Sequence, residues 1–423
     1  MLQINYIREN EKEVIARLAI KNFDGEKIIA QIIELDNARR LAQKELEDVL
    51  NQANQLAKQV GDLFKSGKQA EANELKNKST SLKEKAKVFE EKVTAIEAEQ
   101  TALLLQIPNT PSVKVPKGKT PADNENVFQE GVIPELPADA KPHWDLAAKY
   151  DLIDFELGVK LTGAGFPVYK GKGAKLQRAL IQFFLDNATA AGFTEIQPPI
   201  LVNEASGYGT GQLPDKEGQM YFVGLDKLYL IPTAEVPITN IYRDVILKVE
   251  QLPIKNCGYT PCFRREAGSY GKDVRGLNRL HQFDKVEIVQ VAHPDKSYET
   301  LEEMRNYVAD LLRKLELPFR ILKLCGGDMS FASALTYDFE TFSAAQKKWL
   351  EVSSVSNFET FQSNRLKLRF KQGDEKPQLA HTLNGSALAL PRIVASLLEN
   401  NQTSEGIKIP KALIPYTGFE LIN

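Results

Sequence analysis

Charged side chains cluster beside two predicted strands in the C-terminal half of the chain. The first strand, 258–263, is followed directly by Arg264, Arg265 and Glu266, and the second, 282–291, is rich in Val and Ile. A buried hairpin has no structural need for such charge, because an unpaired buried charge is costly. A polyanion held between the strands would satisfy it, since arginine binds phosphate oxygens in a bidentate manner. The pattern therefore predicts a phosphate-binding site.

A second segment carries groups suited to metal and phosphate chemistry. In Glu351-Val352-Ser353-Ser354, strand alternation predicts that Glu351 and Ser353 lie on one face. A carboxylate with nearby hydroxyls suits Mg²⁺, which prefers hard oxygen ligands and shares them with substrate phosphates. A pair of capping serines on the surface is the alternative interpretation.

Phosphate binding cannot rely on a glycine-rich cradle in this chain. No GxxxxGK(S/T) segment occurs, so side chains must hold any phosphate, and Arg264 and Arg392 are the best candidates. Arg392 follows Pro391, and proline is well suited to the first turn of the amphipathic helix that is predicted to begin there. An isolated arginine on the surface is the alternative for Arg392.

Composition is typical of a globular protein and excludes several classes. Of 423 residues, 43% are hydrophobic and 26% are charged, with a net charge of −2, so a nucleic-acid site must be a local patch. The N-terminus lacks a basic segment followed by an apolar run, and no stretch approaches membrane-spanning length, which predicts no membrane association. Cys257, Cys262 and Cys325 lack CxxC spacing and a nearby histidine pair, which predicts free thiols in a cytoplasmic protein.

The N-terminal quarter contains a seven-residue repeat in two stretches. Apolar or small residues recur at three- and four-residue spacing over 28–63 and again over 75–103, without proline. The repeat predicts two helices wound together, and the break at Ser66-Gly67 predicts an antiparallel hairpin. We expect residues 1–106 to form one domain whose arm is on the order of 50 Å long.

Charge is sorted along this predicted arm. Residues 58–87 hold eight lysines against four carboxylates, whereas 26–57 and 88–105 together hold five cations against ten carboxylates. A basic tip suits contact with a nucleic-acid backbone. A solvated coiled coil whose charges only maintain solubility is an equally good interpretation of the arm alone. The candidate contact residues are Lys58, Lys65, Lys68, Lys76 and Lys78.

A proline-punctuated linker leads into a second predicted domain, 107–423. Its apolar runs mostly follow one another without helices between them, which favours an α+β fold with an antiparallel sheet and helices packed on it. The predicted strands are 193–196, 228–231, 258–263, 282–291, 319–324, 333–342 and 358–369.

Taken together, these segments resemble motifs 1, 2 and 3 of the class II aminoacyl-tRNA synthetases, and in detail those of seryl-tRNA synthetases. The resemblance covers essentially the whole chain. It implies a class II antiparallel sheet flanked by helices and preceded by a coiled-coil hairpin, a homodimer, and the use of ATP with Mg²⁺. The matching segments are 192–208 with Pro198-Pro199, Thr233-Ala234-Glu235, Phe-Arg-x-Glu-Ala-Gly at 263–268, His-Gln-Phe-x-Lys-Val-Glu at 281–287, Glu351-Val352-Ser353-Ser354 and Asn384-Gly385-Ser386.

The resemblance also implies which residues contact each substrate. Arg264, Glu266 and Arg392 would be the catalytic residues, and Glu351 with Ser354 would hold Mg²⁺. L-serine would contact Thr233, Ala234, Glu235, Glu287, Asn384 and Ser386. ATP would contact Arg264, Arg265, Glu266, Phe283, Glu351, Val352, Ser353, Ser354 and Arg392.

The resemblance also implies individual roles within these sets, and the chemistry supports them. Arg264 would hold the α-phosphate, and Phe283 and Arg392 would enclose the adenine by stacking and cation–π contact. Glu287 and Ser386 would read the serine hydroxyl. For Glu287, a purely structural salt bridge to Lys285 or Arg264 is the alternative.

The leading functional hypothesis is a serine–tRNA ligase. It would activate L-serine with ATP to seryl-adenylate and transfer the seryl group to the 3′ end of tRNA(Ser), and of tRNA(Sec) where that is present. The arm tip would contact this tRNA, and Lys272 and Arg275 would approach its acceptor end. One alternative is a class II paralogue that loads an amino acid onto a carrier other than tRNA. Another is a non-enzymatic scaffold with a decayed catalytic domain.

Overall fold

The computed structural model describes residues 1–215, 217–266 and 275–423. The chain divides into two compact units. One comprises Leu2–Ala19 and Phe23–Pro108, and the other comprises Met1, Ile20–Asn22 and Asn109–Asn423. In these described stretches, no helix combines the length and the apolar character that crossing a bilayer requires.

The smaller unit is helical and contains the predicted hairpin. Its two long helices turn back on each other at Ser66–Lys68, which confirms the position of the predicted break. In the second long helix the buried positions Ala72, Ser79, Ala86, Val93 and Gln100 recur every seven residues, as a wound pair of helices requires. The helices of this unit are α1 (Ile4–Glu9), α2 (Glu11–Ile20), α3 (Glu26–Lys65) and α4 (Gln69–Leu104).

The larger unit contains short and long strands with helices between some of them. Its strands are β1 (Glu125–Glu130), β2 (Ile153–Asp154), β3 (Val168–Tyr169), β4 (Thr194–Glu195), β5 (Leu201–Val202), β6 (Phe222–Val223), β7 (Leu228–Leu230), β8 (Ile246–Lys248), β9 (Ile254–Phe263), β10 (Gln282–Ala292), β11 (Phe319–Lys323), β12 (Leu335–Ser343), β13 (Lys348–Asn357), β14 (Arg369–Lys371), β15 (Gln378–Leu379), β16 (His381–Ala389), β17 (Ile407–Lys408) and β18 (Leu421–Ile422). Its helices are α5 (His143–Lys149), α6 (Phe155–Leu161), α7 (Gly171–Ala190), α8 (Glu204–Thr210), α9 (Glu235–Asn240), α10 (Ser297–Lys314), α11 (Thr360–Leu366), α12 (Leu390–Asn400) and α13 (Ile414–Thr417).

The main sheet has the order β1-β11-β12-β13-β16-β10-β9-β4. Its neighbouring strands run antiparallel except β4, which lies parallel to β9 at the edge. Helices α7, α10 and α12 pack on one face and form the main core, with Phe184, Phe319 and Phe339 fully buried there. The predicted α+β fold with an antiparallel sheet is therefore confirmed.

The prediction of a strand over 358–369 is wrong. Thr360–Leu366 is the helix α11, and only Arg369–Lys371 is a strand. The buried residues of α11 are Phe361, Gln362, Ser363, Arg365 and Leu366, and they include two pairs that are four apart, as on the buried side of a helix. The segment contains apolar residues, but they belong to a helix and not to a strand.

A bulge in β13 overturns the prediction that Glu351 and Ser353 share a face. Phe339 pairs with Ser353 whereas the next residue, Glu340, pairs with Glu351, so Val352 has no partner in the register. One extra residue shifts the alternation by one. Glu351 therefore shares a face with Ser354, while the Ser353 hydroxyl is buried and donates to the Ser386 carbonyl at 2.7 Å.

A second irregularity lies in β16, just before α12. Lys285 of β10 pairs with Ala389, but Glu287 pairs with Ser386, so β16 carries an extra residue at this point. The backbone of Leu388 has φ 84, a conformation that residues other than glycine rarely adopt. This bulge turns the chain into α12 beside the cavity described next.

Candidate active site

The sheet face opposite the main core lines a cavity of about 920 Å³. It brings together residues that are up to 182 positions apart in the sequence, from Thr210 to Arg392. Of the predicted site residues it is lined by Thr233, Glu235, Arg264, Glu266, Phe283, Glu287, Glu351, Val352, Ser353, Ser354, Asn384, Ser386 and Arg392.

One end of the cavity is built around the carboxylate of Glu287. The Thr233 hydroxyl donates to Glu287 Oε2 at 2.8 Å, and Lys285 forms a salt bridge with the same oxygen. Glu287 and Lys285 are only 2% and 6% exposed. Ser386 pairs with Glu287 in the register of β10 and β16. The salt bridge considered above as an alternative role for Glu287 is therefore formed, but it lies inside the cavity.

A polar atom at this end has no hydrogen-bond partner among the described residues. Asn384 Nδ2 is buried and makes no hydrogen bond, although most buried polar groups in folded proteins are satisfied. Asn384 lines the cavity on the strand that carries Ser386. A ligand with an oxygen acceptor would satisfy this donor.

Glu235 supplies a second buried carboxylate to the same end. The side-chain amide of Gln362, on α11, donates to Glu235 Oε1 at 2.6 Å. The Thr382 hydroxyl donates to the side-chain amide oxygen of Gln362 at 2.7 Å. Burial, followed by repulsion from Glu287, raises the pKa of Glu235 to about 7. A cation bound beside Glu235 would favour the ionised form, as Lys285 and Arg264 already do in part.

The other end of the cavity combines a cation, an aromatic ring and a carboxylate. The Arg264 guanidinium lies 5.2 Å from the Phe283 ring centroid, within cation–π range. Its backbone is fixed because Arg264 N donates to the His281 carbonyl at 2.9 Å. Glu266, with φ 49, accepts from Arg279 at 3.0 Å.

Arg392 enters the cavity from the first turn of α12. Its Nε donates to the Asn278 carbonyl at 3.1 Å, and NH1 donates to the Glu351 carbonyl at 2.7 Å. Its guanidinium also lies 3.5 Å from the Glu351 carboxylate. These contacts hold Arg392 in the lining of the cavity to which Arg264 and Phe283 also belong.

The oxygen ligands proposed for a metal fit Mg²⁺ chemistry. Because of the β13 bulge, Glu351 and Ser354 project from the same face, and Asp338 of β12 lies opposite Ser354. Burial and the Glu351 carboxylate raise the pKa of Asp338, which indicates how close these acidic groups lie. In the described parts of the chain no cluster of three or more His, Cys, Asp or Glu side chains could hold a metal by itself. Such a site would need oxygen ligands from a substrate.

Two of the residues predicted to contact serine or ATP do not line the cavity. Ala234 is fully buried against Ile238 and Val289, so its methyl group faces a small apolar cluster. Arg265 is exposed and lies outside the lining, although its neighbour Arg264 lines the cavity; both residues come after the end of β9. Lys272 lies outside the described residues. The substrate contacts predicted for Ala234 and Arg265 therefore stay predictions.

The residues predicted to contact tRNA have different surroundings. Arg275 stacks over Trp144 at 4.8 Å and lines a separate cavity. In the helical unit the five tip lysines are all exposed, three of them within reach of a carboxylate on the same helix.

Sequence reasoning missed several cavity residues. Lys285, Asn278 and Phe331 line the cavity, and Gln362 positions Glu235 from behind it. Lys285 could have been found, because period-two alternation from Phe283 to Glu287 places it on the same face. Asn278, Phe331 and Gln362 come from loops and a misassigned helix, for which the local sequence gave no signal.

Comparison with known proteins agrees with this architecture. Residues 1–111 match the model of the seryl-tRNA synthetase N-terminal domain, and residues 223–401 match the class II tRNA synthetase core domain for G, H, P, S and T. The serine–tRNA ligase of Salinibacter ruber is 50% identical over 100% of this chain and 99% of its own length. This chain belongs to the seryl-tRNA synthetase family.

Other members of the family are similar over their whole length. The serine–tRNA ligase of Akkermansia muciniphila is 44% identical over 100% of this chain and 99% of its own. The crystal structure of the seryl-tRNA synthetase from Pyrococcus horikoshii complexed with ATP has a TM-score of 0.92 at 34% identity, covering 100% and 99% of the two chains. The family resemblance inferred from the motifs is therefore confirmed. Because the match includes the N-terminal domain, the comparisons support the ligase hypothesis rather than a carrier-loading paralogue.

Proposed function

We propose that this chain is a serine–tRNA ligase that uses the cavity for both of its reactions. The observation that carries the proposal is one cavity with a buried Glu287–Thr233 pair at one end and Arg264, Phe283 and Arg392 at the other. The first end suits a small hydroxylated amino acid, and the second suits a nucleotide with its phosphates. In the activation step a serine carboxylate oxygen attacks the α-phosphorus of ATP, and the bond to the departing pyrophosphate breaks.

No general base is needed in this step, because the nucleophile is already a carboxylate. Positioning and charge neutralisation must supply the rate, as in other phosphoryl-type transfers. Arg264 binds the α-phosphate, which gains charge density in the transition state. Phe283 and Arg392 enclose the adenine, and Glu266 lies beside the base. Arg392 reaches this position by exchanging its contact with the Glu351 carboxylate for the ligand.

Serine is recognised by polar groups that pair with its hydroxyl and its ammonium group. Glu287 and Ser386 bind the hydroxyl, Thr233 and Glu235 bind the ammonium group, and Asn384 Nδ2 donates to an oxygen of the substrate. The ammonium of serine, bound beside Glu235, favours the ionised form of this carboxylate. A site of this kind rejects analogues without the hydroxyl, because its own polar groups would then remain unpaired.

Mg²⁺ would be held by Glu351 and Ser354 together with substrate phosphate oxygens. The carboxylate and hydroxyl are hard oxygen donors on one face of β13, which is the chemistry that Mg²⁺ requires. When bound, the ion neutralises phosphate charge. Arg392, which contacts Glu351 in the absence of ligands, would then be free to contact the nucleotide.

The second reaction and the partners follow from the same assignment. The 3′-terminal ribose hydroxyl of tRNA(Ser) attacks the carbonyl carbon of the seryl-adenylate and releases AMP, while the exposed lysines at the arm tip hold the tRNA backbone. The N-terminal unit would thus bind tRNA, and the larger unit would bind ATP, serine and the acceptor end. A cytoplasmic location fits a protein that works with tRNA.

A homodimer is supported by apolar surface on the larger unit. Phe222, 54% exposed, lies in β6, and Leu225, 100% exposed, lies in the turn between β6 and β7. These two strands form a small sheet with β5, which contains Leu201 of the segment 192–208. Exposed apolar groups gathered in one region mark interaction surfaces. We infer that a second copy of this chain covers them.

The proposal is tested by comparing two neighbouring arginines in serine-dependent ATP–pyrophosphate exchange. Arg264→Ala removes the inward cation and should lower exchange by about 10³-fold, because a charged contact to the reacting phosphate is lost. Arg265→Ala removes the adjacent outward cation and should change exchange less than about threefold. Circular dichroism and the melting temperature check that both variants are folded. Equal activity of the two variants would refute the assignment of the phosphate site.

A further inference from the structure

We call residues 264–281, which connect β9 to β10, the motif 2 loop. The backbone at the described end of this loop is held by a buried histidine. His143, at the start of α5, is 0% exposed, and its Nε2 accepts a hydrogen bond from the Leu277 backbone N–H at 2.8 Å. Gly276 comes within contact of the same ring: a Cβ there would lie 2.3 Å from His143 Nε2, and its φ is +68. This approach needs glycine, because any side chain would collide with the imidazole.

The other side of the imidazole is bound to α12. His143 Nδ1 lies 2.7 Å from Glu399 Oε1, and the His143 backbone N–H donates to the same oxygen at 2.9 Å. Ser343 also donates to Glu399. Burial alone would raise the pKa of Glu399, but these hydrogen bonds outweigh it and lower the pKa. The residue is therefore an ionised acceptor in the core.

These contacts fix the tautomer of His143. Because Nε2 accepts from Leu277 N–H, the ring proton must sit on Nδ1, where it donates to Glu399. The imidazole thus acts as a rigid link with a donor on one edge and an acceptor on the other. It joins α12, which begins with the Arg392 turn, to the backbone that leads from the motif 2 loop into β10.

A second path joins the same two elements. Gln346 donates to Glu399 Oε1 at 2.8 Å and accepts from Asn278 at 3.3 Å. The Asn278 carbonyl in turn accepts from Arg392 Nε at 3.1 Å. The position of Arg392 is therefore set by the same short segment that His143 holds.

We propose that His143 is a positioning residue for ATP, which aligns the end of the motif 2 loop with Arg392 through its link to Leu277 and Glu399. This inference rests on the proposed assignment of that end of the cavity to the nucleotide. His143 lines no part of the cavity itself. Its effect is transmitted by the backbone at Leu277 and Asn278, so it should alter ATP binding while leaving the serine end unchanged.

Two amide substitutions separate the two edges of the imidazole. Asparagine places its amide nitrogen near the position of Nδ1 and keeps the bond to Glu399, but it loses the acceptor for Leu277. Glutamine can place its amide oxygen near the position of Nε2 and keeps that acceptor. Ser396→Ala is a control for general loss of packing. Ser396 lies on α12, the helix that carries Glu399, and the substitution removes its buried 2.6 Å hydrogen bond to Thr341 of β12.

ATP affinity of the full-length protein is measured by calorimetry without serine, and KM values are measured by pyrophosphate exchange. We expect His143→Asn to weaken ATP binding about tenfold, because the Leu277 N–H is left unpaired in the core. The KM for serine should stay within about twofold of wild type. His143→Gln should restore most of the ATP affinity, and Ser396→Ala should not weaken it.

Two results would overturn the inference. Unchanged ATP affinity in His143→Asn would show that the link is only structural. Equal losses for ATP and serine, without rescue by glutamine, would show general loosening instead. Failure of the proposed function is distinguishable from both, since wild-type protein would then bind ATP but show no serine-dependent exchange.

Discussion

Substituting Glu235 by glutamine tests the amino-acid end of the cavity through its pH dependence. Glu235 is 8% exposed, and burial together with the nearby Glu287 raises its pKa to about 7. Lys285 and Arg264 also face it and act in the opposite direction. If Glu235 binds the serine ammonium, only its ionised form is competent. Serine binding must then become weaker as pH falls below 7.

The size of the effect follows from the ionised fraction. With a pKa of about 7, roughly one tenth of Glu235 is ionised at pH 6 and roughly nine tenths at pH 8, so the apparent KM for serine should be about tenfold higher at pH 6. Glu235→Gln removes this titration. Its KM should be about 10- to 100-fold above wild type at pH 8, because a charged hydrogen bond is lost, and it should change little with pH.

The same substitution has an opposite effect on stability. Folded Glu235 keeps its proton up to about pH 7, whereas in the unfolded chain it loses the proton near 4.5. The folded state therefore binds more protons between these values, and the serine-free protein should lose about 3 kcal/mol of unfolding free energy as pH rises through this window. At pH 8 Glu235→Gln should melt at a higher temperature than wild type, and at pH 4 the two should be similar.

Steady-state exchange between pH 6 and 8, with thermal melts of the same preparations, measures both effects. A serine KM that does not change with pH in the wild-type protein would refute the reasoning. The same pH dependence in Glu235→Gln would also refute it, since the titrating group would then have to be another one.

Two further predictions concern the arm and the metal. Replacing the five tip lysines, Lys58, Lys65, Lys68, Lys76 and Lys78, with glutamate should abolish tRNA charging at physiological salt and spare serine-dependent exchange, because the phosphate contacts are lost while the cavity is untouched. The same change at Lys44 and Lys92 on the acidic stem is the control. Charging by the tip variant at the control rate would contradict the role of the tip. Ser354→Ala should raise the Mg²⁺ concentration needed for half-maximal exchange several-fold, whereas Ser353→Ala, whose hydroxyl is bound to a backbone carbonyl, should lower only stability by about 1 kcal/mol. Identical Mg²⁺ titrations of the two serine variants would contradict the metal assignment.

The sequence was most informative where periodicity is strict. The seven-residue repeat predicted the hairpin and its turn at Ser66–Gly67, because buried positions of a wound helix pair must recur at that spacing. The long strands β9 and β10 were predicted from their apolar runs, and the charge beside them predicted a site at that place. The residues that line the cavity from these strands were found for the same reason.

Local irregularities could not be predicted. A bulge adds one residue to a strand without a sequence signature, so alternation predicted that Glu351 shares a face with Ser353, whereas it shares one with Ser354. Gln362 was not identified as a site residue, because 358–369 was predicted as a strand and contains the helix α11. His143 gave no signal either, since its partners Leu277 and Glu399 are 134 and 256 residues away in the chain.

The central claim is that this chain selects serine by its hydroxyl and activates it with ATP. The most direct measurement is pyrophosphate exchange with serine, threonine and alanine in one preparation of the full-length protein. We expect kcat/KM for serine to exceed that for alanine by about 10⁴-fold, because alanine would leave the buried groups around Glu287 unpaired. Comparable exchange with alanine, or no exchange with serine, would contradict the account.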